Sequence, residues 1–245
     1  MASTVAAVPE TTPVQDRRLV QERALMQGRA PVPELAIASD AVLAQVVDAI
    51  AGDGVAVVPA FVGAATTIAL RERALAQDVA GLTRDADVGQ GSARRRDGGV
   101  RGDRIVWLAE SSESPVDACA RTLFDGLRLA LNRELMLGLF DVEAHYAIYP
   151  PGAGYVRHRD RFREDDSRVI SCVLYLNDQW LPCEGGALRI HVEGRPRRDV
   201  APEGGTLVAF LAERHEHEVL PATRPRVSLA GWLRRRPLQR PVDAA

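Results

Sequence analysis

The sequence contains no lysine, so all 31 of its basic residues are arginines. Any fixed positive charge that grips an anion in this protein is therefore a guanidinium, which can donate two parallel hydrogen bonds to one carboxylate. Cysteine is also scarce, and three cysteines in 245 residues exclude a small fold held together by disulfides. We infer a reducing compartment and expect the protein to be cytoplasmic.

Long apolar runs are absent as well. The longest uncharged stretch, residues 54–70, is shorter than the ~20 residues of a membrane-spanning helix and is interrupted by Pro59 and Gly63. Glu10 precedes any apolar run that could act as a secretory signal. The net charge of −2 creates no overall field that would attract nucleic acid or an anionic membrane. We therefore expect neither as a partner.

The length and composition predict one large domain with an appendage. The chain of 245 residues exceeds a typical domain of ~150 residues but does not reach two of them. Hydrophobic residues make up 46% and charged residues 26%, as in average globular proteins. We assign residues 37–238 to the domain, residues 1–36 to a flexible N-terminal extension and residues 239–245 to a tail.

Helical patterns dominate the first half of the sequence. Apolar residues recur at helical spacing from Val42 to Ile50, and two further helices are predicted over residues 66–77 and 115–137. Short strands are predicted at 55–58 and 105–108. Residues 81–102 are rich in Gly, Arg and Asp without apolar periodicity, which predicts a long, mobile loop.

The second half has a different pattern. Short apolar or alternating runs are separated by turn residues, which is typical of a β-sandwich or barrel. Because the helices precede this block of strands, we predict an α+β fold in which the helices buttress one sheet. The predicted strands are 144–149, 154–158, 169–176, 187–192, 205–210, 218–220 and 226–233.

A metal site is predicted at the segment that contains His158 and Asp160. These residues are two apart on a predicted strand, where alternate side chains share a face, so both can meet one metal ion. The third ligand has to come from another strand, and His217 is the best candidate, with His215 as the alternative. Two imidazoles and one carboxylate suit a non-haem Fe(II) oxygenase, because they leave three coordination positions open. Structural zinc sites instead use closed sets of His and Cys.

An anion clamp is predicted beside this metal site. Arg226 begins a strand on which Ser228 and Trp232 share its face. A guanidinium there can hold the distal carboxylate of 2-oxoglutarate while the keto-acid end chelates iron, and Ser228 can add a hydroxyl donor. On the strand 169–176, Tyr175 faces the same way as Ser171, so its phenol could reach the same carboxylate.

Five stretches of sequence together carry a family resemblance. They are VRGDRIVW at 100–107, YPPGAGYVRHRD at 149–160, RVISCVLYLNDQW at 168–180, GGALRI at 185–190, and HEVLP from His217 followed by Arg226. This pattern resembles the 2-oxoglutarate-dependent prolyl hydroxylases, especially the hypoxia-inducible-factor type and its bacterial relatives. The likeness extends over residues 40–236.

The resemblance implies a fold, a set of cofactors and roles for particular residues. The implied fold is a double-stranded β-helix of the jelly-roll or cupin-like kind, and the implied cofactors are Fe(II), 2-oxoglutarate and O2, supported by ascorbate. His158, Asp160 and His217 are implied to bind iron, and Arg226 and Tyr175 to bind 2-oxoglutarate. The residues implied to line the substrate side are Tyr149, Tyr155, Arg168 and Trp232, with Arg101 and Asp103 steering the mobile loop.

The resemblance also implies a reaction. A protein prolyl 4-hydroxylase converts 2-oxoglutarate to succinate and carbon dioxide while it hydroxylates C4 of a proline in a protein or peptide. Because bacterial relatives modify elongation factor Tu, a proline of that factor is the expected target. Two alternatives stay open: hydroxylation of a small molecule or free amino acid, and a non-catalytic sensor of metal or metabolite. The long segment 81–102 favours a macromolecular substrate.

Overall fold

The computed structural model describes residues 38–89, 95–160 and 167–236. The extension predicted at 1–36 and the tail predicted at 239–245 lie outside these residues, so the domain boundaries stay predictions. Within the described ranges, no helix is both long enough and apolar enough to cross a membrane.

Three helices form one layer of the fold. They are α1 (Asp40–Asp53), α2 (Ala64–Val79) and α3 (Pro115–Leu135), close to the predicted positions. Helix α1 ends at Gly54, which has a φ of 73° that favours glycine. Helix α3 ends two residues before the predicted position, because Met136 adopts a left-handed conformation with a φ of 49°.

Thirteen strands are present in the described residues, and most of them form two antiparallel sheets. A seven-stranded sheet has the order β1-β11-β8-β13-β6-β5-β2, and a four-stranded sheet has the order β10-β9-β12-β7. Strands β3 and β4 pair separately as a hairpin. In chain order the strands are β1 Val55–Val58, β2 Arg84–Asp85, β3 Asp87–Val88, β4 Arg95–Arg96, β5 Arg104–Trp107, β6 Leu139–Tyr149, β7 Tyr155–His158, β8 Arg168–Tyr175, β9 Leu188–His191, β10 Arg198–Val200, β11 Leu207–Leu211, β12 Glu216–Val219 and β13 Arg226–Arg235.

The prediction that residues 81–102 form one long loop is wrong for the described part of this segment. It contains β2, β3 and β4, and β2 pairs with β5 at the edge of the large sheet. Strands of two or three mostly polar residues are too short to show hydrophobic alternation, so they could not be predicted from the sequence. The same reason explains why β10 was not predicted. Strand β6 also begins at Leu139, five residues before the predicted start.

The helices and the two sheets enclose two apolar cores. One core lies between the helices and the outer face of the large sheet, and the other lies between the sheets. Side chains of strand β13 alternate between the two faces of the large sheet. Val227 and Leu229 join the helix-facing core, and Arg226 and Ser228 line a cavity on the opposite face. This three-layer arrangement is the predicted α+β double-stranded β-helix buttressed by helices.

A buried polar network ties the helix layer to the large sheet. Asp117 on α3 accepts hydrogen bonds from the Arg73 guanidinium on α2 (2.7 Å), the Ser112 hydroxyl (2.6 Å) and the Tyr146 hydroxyl on β6 (3.0 Å). Burial alone would raise the pKa of Asp117, but these hydrogen bonds outweigh burial and hold its pKa below the usual value. The network therefore favours the ionised carboxylate.

Replacing Asp117 by Ala is expected to lower the free energy of unfolding by about 3 kcal/mol at pH 7, because the buried Tyr146 hydroxyl and the partly buried Arg73 and Ser112 side chains lose their acceptor. In the folded wild type, the pKa of the Asp117 carboxyl lies below the ~3.9 of an Asp in the unfolded chain. The stabilisation that Asp117 contributes is therefore complete above about pH 4 and is lost on further acidification. Urea unfolding at pH 7 and pH 3 measures both effects. Asp125→Ala, which removes an exposed pair with Arg128, is the control, and an equal change in the two variants would contradict the prediction.

Candidate functional site

Three predicted ligands meet between strands β7 and β12 of the small sheet. His158 and His217 lie directly opposite each other in this antiparallel pair, and their ring centroids are 4.2 Å apart. Asp160 Oδ1 lies 3.4 Å from His158 Nε2, and Asp160 Oδ2 lies 3.6 Å from His217 Nε2. The prediction that Asp160 lies on the same strand as His158 is wrong, because strand β7 ends at His158 and Asp160 reaches this cluster from a bend just after the strand. One candidate ligand atom from each of the three residues lies within 4.8 Å of the candidate ligand atoms of the other two.

Backbone carbonyls orient both imidazoles toward this cluster. His158 Nδ1 lies 2.7 Å from the Val156 carbonyl oxygen, and His217 Nδ1 lies 3.5 Å from the His215 carbonyl oxygen. A proton held on Nδ1 leaves the Nε2 lone pair free for a metal ion. Burial lowers the pKa of His217 to about 4, so its imidazole is neutral at pH 7.

Asp160 is held in its ionised form. Burial opposes the charge, but the neighbouring imidazoles and the Ser171 hydroxyl, which donates to Oδ2 at 2.7 Å, keep the pKa of Asp160 well below its usual value. Ser171 lies on β8 in the large sheet, so this hydrogen bond joins the two sheets at the cluster.

The alternative ligand His215 does not join the three-residue cluster. Its side chain is fully buried and packs against Gly54 at the end of α1. The structure thus brings together the predicted set with His217 and leaves His215 outside it.

Arg226 is a buried cation beside the three ligands. Its side chain is 1% exposed, and its Nε donates to the Gly186 carbonyl oxygen at 3.0 Å. The guanidinium carbon lies 5.2 Å from the Tyr149 ring centroid and 5.1 Å from that of Tyr175. No carboxylate of the described residues lies within 4.0 Å of it, and a buried charge without a counter-ion is costly. The position is therefore suited to an anionic ligand.

Two buried polar atoms at this position, one on the guanidinium and one on Tyr175, have no hydrogen-bond partner among the described residues. Arg226 Nη2 and the Tyr175 hydroxyl make no hydrogen bond within the described chain. Burial raises the pKa of Tyr175 to about 12, so the phenol keeps its proton and remains a donor. Ser228 lies opposite Tyr175 across the β13–β8 pair and adds a buried hydroxyl. Buried polar groups are normally satisfied, so these donors indicate a missing acceptor.

One cavity joins the ligand cluster to the anion position. Its wall contains the three ligands together with Arg226 and Ser228. Tyr175 is not part of the wall and packs beside the guanidinium. Of the residues predicted on the substrate side, this cavity contains Tyr149, Tyr155, Trp232, Arg101 and Asp103.

Arg168 lies in an adjoining cavity of about 260 Å³. Its guanidinium carbon is 3.6 Å from the Trp232 ring centroid, and its Nη2 lies 3.2 Å from Glu143 Oε2. Tyr155, Trp232 and Asp160 line both cavities, so the second cavity opens onto the ligand cluster. The residues predicted on the substrate side therefore line two adjoining cavities.

Arg101 and Asp103 form a buried ion pair at the rim of these cavities. Two parallel hydrogen bonds of 2.7 and 2.9 Å connect them, and the Arg101 guanidinium carbon lies 5.0 Å from the Tyr155 ring centroid. The Ala86 amide donates to the Asp103 carbonyl oxygen at 2.9 Å. This contact links the pair to the segment 81–102, which contains β2, β3 and β4.

Sequence reasoning did not assign roles to two residues of this region. Ser171 was placed on the correct face of β8, but its bond to Asp160 depends on the spacing between the sheets. His145 has no carboxylate at ligand spacing in the sequence, yet it is buried in both cavity walls between Trp107 and Trp232. Burial lowers its pKa to about 3, so it is a neutral side chain there.

Comparison with known proteins places this geometry in a family. Residues 144–234 match the model of the 2OG-Fe(II) oxygenase superfamily. Human prolyl hydroxylase EGLN3 is 33% identical over 180 residues, which cover 70% of this chain and 74% of the relative. A crystal structure of a Pseudomonas putida prolyl-4-hydroxylase is 43% identical, with a TM-score of 0.72 over 79% of this chain and 99% of that chain. The chain belongs to the prolyl hydroxylase family of 2OG-Fe(II) oxygenases.

Other prolyl hydroxylases agree with the assignment. Human Egl nine homolog 1 is 31% identical over 211 residues, or 82% of this chain. The chain spans 48 to 60% of the length of three curated relatives, which are the human, rat and mouse forms of that protein. A Trichoplax adhaerens prolyl hydroxylase, 24% identical with a TM-score of 0.71, supports the fold. The predicted family and fold are thereby confirmed.

The residues of this chain fit the two groups that define the 2OG-Fe(II) family. Two imidazoles and an ionised carboxylate are a suitable donor set for Fe(II) that leaves coordination positions open. The unpaired Arg226 Nη2 and Tyr175 hydroxyl are suitable donors for the carboxylate of 2-oxoglutarate.

Proposed function

We propose that this protein is a 2-oxoglutarate- and Fe(II)-dependent dioxygenase that acts as a protein prolyl 4-hydroxylase. The observation that carries the proposal is the buried guanidinium of Arg226, which has no carboxylate partner in the described chain and lines the same cavity as His158, Asp160 and His217. An Fe(II) ligand set next to an unpaired guanidinium suits a keto diacid that binds the metal at one end and the guanidinium at the other.

Each residue of the proposed site has a defined task. His158, Asp160 and His217 hold the ferrous ion, and Arg226 with Tyr175 and Ser228 holds the distal carboxylate of 2-oxoglutarate. Bound iron supplies the chemistry that couples oxygen activation to decarboxylation of 2-oxoglutarate. The protein side chains orient the co-substrate and the target carbon, and the apolar walls of the cavity limit water.

The proposed substrate is a proline within a protein or peptide. The second cavity supports this proposal, because it extends the space at Asp160 along Tyr155, Arg168 and Trp232. We assign those residues and Tyr149 to the substrate side, and we assign Arg101 and Asp103 to the support of the segment that borders it. The P. putida relative, a prolyl-4-hydroxylase, supports reaction at C4.

A proline of elongation factor Tu is the first target to test. Purified protein, Fe(II), 2-oxoglutarate and ascorbate are expected to form succinate in step with the addition of one oxygen atom to a proline peptide of that factor. Mass spectrometry of the digested factor measures the addition. Oxygen transfer to free amino acids or metabolites only would favour the small-molecule alternative, and binding of 2-oxoglutarate without turnover on any substrate would favour the sensor.

We propose that the protein acts in the cytoplasm. Its three cysteines are all free thiols, and Cys183 is exposed, which is compatible with a reducing compartment. Fractionation of the source cells with an antibody is expected to place the protein in the soluble cytoplasmic fraction. Recovery from another fraction would contradict this location.

Ser171→Ala tests the hydroxyl that orients the proposed iron ligand Asp160. Loss of the 2.7 Å hydrogen bond is expected to weaken metal binding roughly 10- to 100-fold, as is usual for groups that orient metal ligands. Calorimetric titration with Mn(II) measures the affinity. Ser228→Ala removes a hydroxyl on the same cavity that does not contact Asp160, and it is expected to keep the affinity. Unchanged affinity in Ser171→Ala would contradict the assigned role.

A further inference from the structure

A groove rich in arginine lies on the outer face of the small sheet. Its volume is about 380 Å³. Arg157 and Glu216 project into it from strands β7 and β12, whose next residues, His158 and His217, face the opposite way toward the proposed iron site. We call this surface the arginine groove, and its charged wall residues are Arg157, Arg159, Arg195, Arg197, Arg214, Glu193 and Glu216.

The arginine groove has an excess of positive charge. Arg157 donates to Glu216 at 2.8 Å, and Arg195 lies 2.8 Å from Asp53. Arg159, Arg197 and Arg214 make no ion pair with any residue in the described ranges. Because the whole chain carries a net charge of −2, this excess is a local feature and not a reflection of overall composition. A cluster of unpaired cations attracts an anionic partner.

The groove adjoins the proposed substrate cavity at Arg159. Arg159 lies between the ligands His158 and Asp160 in sequence, and it lines both the arginine groove and the cavity that contains Arg168 and Trp232. A polypeptide that places a proline at the iron can therefore extend past Arg159 into the groove.

We propose that the arginine groove binds an acidic segment next to the target proline of the protein substrate. This inference rests on the proposed function. Guanidinium groups can bind Asp and Glu carboxylates with two hydrogen bonds each, and three of them are available. Among the described residues, the groove wall contains no Phe, Tyr or Trp on which a nucleobase could stack, and its one imidazole, His191, lies 3.1 Å from the Glu218 carboxylate. An acidic polypeptide thus fits this surface better than nucleic acid does.

Two synthetic peptides test the proposal by direct binding. Both contain one proline in an Ala-Gly core, and one carries four glutamates at each end where the other carries four glutamines. Fluorescence anisotropy with Mn(II)- and 2-oxoglutarate-loaded protein is expected to show at least about fivefold tighter binding of the glutamate peptide at low salt, with the preference reduced at high salt. Arg197→Glu/Arg214→Glu is expected to abolish the preference.

A matched variant separates the groove from a general charge effect. Arg133→Glu/Arg236→Glu changes the net charge by the same amount at residues outside the groove, and it is expected to keep the preference. Equal binding of the two peptides to wild type, or an equal loss in both double variants, would overturn the proposal. Tighter binding of an oligouridylate of the same charge would overturn it in favour of nucleic acid.

The outcome for the groove is independent of the outcome for the reaction. The groove variant leaves the proposed iron and 2-oxoglutarate residues intact, so it is expected to retain 2-oxoglutarate turnover with a proline peptide that lacks acidic flanks. Normal turnover without a glutamate preference would reject the groove alone. Absence of turnover in the wild type would reject the proposed function, whatever the peptides show.

Discussion

Asp160→Ala is expected to lower metal affinity by at least about 100-fold and to abolish succinate formation. The carboxylate is the negative ligand of the proposed set, and even groups that only orient metal ligands change affinity 10- to 100-fold. Its removal also leaves the Ser171 hydroxyl without its acceptor, but the two strands that carry the imidazoles stay paired. Calorimetric titration with Mn(II) and circular dichroism together measure affinity and fold. Full metal affinity in a folded Asp160→Ala protein would contradict the ligand assignment.

A pair of histidine variants tests the same assignment more selectively. His217→Ala is expected to lose metal affinity as Asp160→Ala does, whereas His215→Ala is expected to keep it, because the His215 side chain packs against Gly54. Both side chains are buried, so the loss of packing is comparable and only one variant should lose the ion. The reverse result would move the third ligand to His215.

Arg226→Met is expected to weaken binding of 2-oxoglutarate by about 2–5 kcal/mol, or roughly 30- to 4,000-fold, with little change in metal affinity. The guanidinium is the only cation proposed to face the distal carboxylate, and its loss would leave that carboxylate buried without a partner. Methionine keeps most of the side-chain volume between Tyr149 and Tyr175. The variant is therefore expected to fold, since an unpaired buried charge is replaced by an apolar group.

Thermal unfolding separates this effect from damage to the fold. A saturating concentration of 2-oxoglutarate with Mn(II) is expected to raise the Tm of the wild type, because a ligand that binds only the folded state stabilises it. The same addition is expected to leave the Tm of Arg226→Met almost unchanged. Arg224→Met, two residues away and partly exposed over Trp180, is the control and is expected to respond like the wild type. An equal Tm increase in all three proteins would exclude Arg226 as the carboxylate clamp.

Much of the site could be predicted because successive side chains of a strand point to opposite faces of the sheet. On β13 the period of two places Arg226, Ser228 and Trp232 on one face, and the structure puts all three in the cavity wall. The absence of lysine restricted the predicted clamp to a guanidinium. His158 and His217 are 59 positions apart, and their meeting was predicted from ligand chemistry and from the family resemblance.

Other features depend on distances between sheets, which a sequence does not encode locally. The hydrogen bond from Ser171 to Asp160 joins β8 in the large sheet to the bend after β7 in the small one. His145 enters the cavity because β6 pairs with β13 in a register that places it opposite Ala230. The short strands β2, β3 and β4 are held by pairing with neighbours rather than by hydrophobic alternation.

A crystal structure of the protein with Mn(II) and 2-oxoglutarate tests the central claim most directly. It should show the ion bound by His158 Nε2, the Asp160 carboxylate and His217 Nε2, with one carboxylate of 2-oxoglutarate on the Arg226 guanidinium. An ion bound through other residues, or a 2-oxoglutarate carboxylate away from Arg226, would contradict the account.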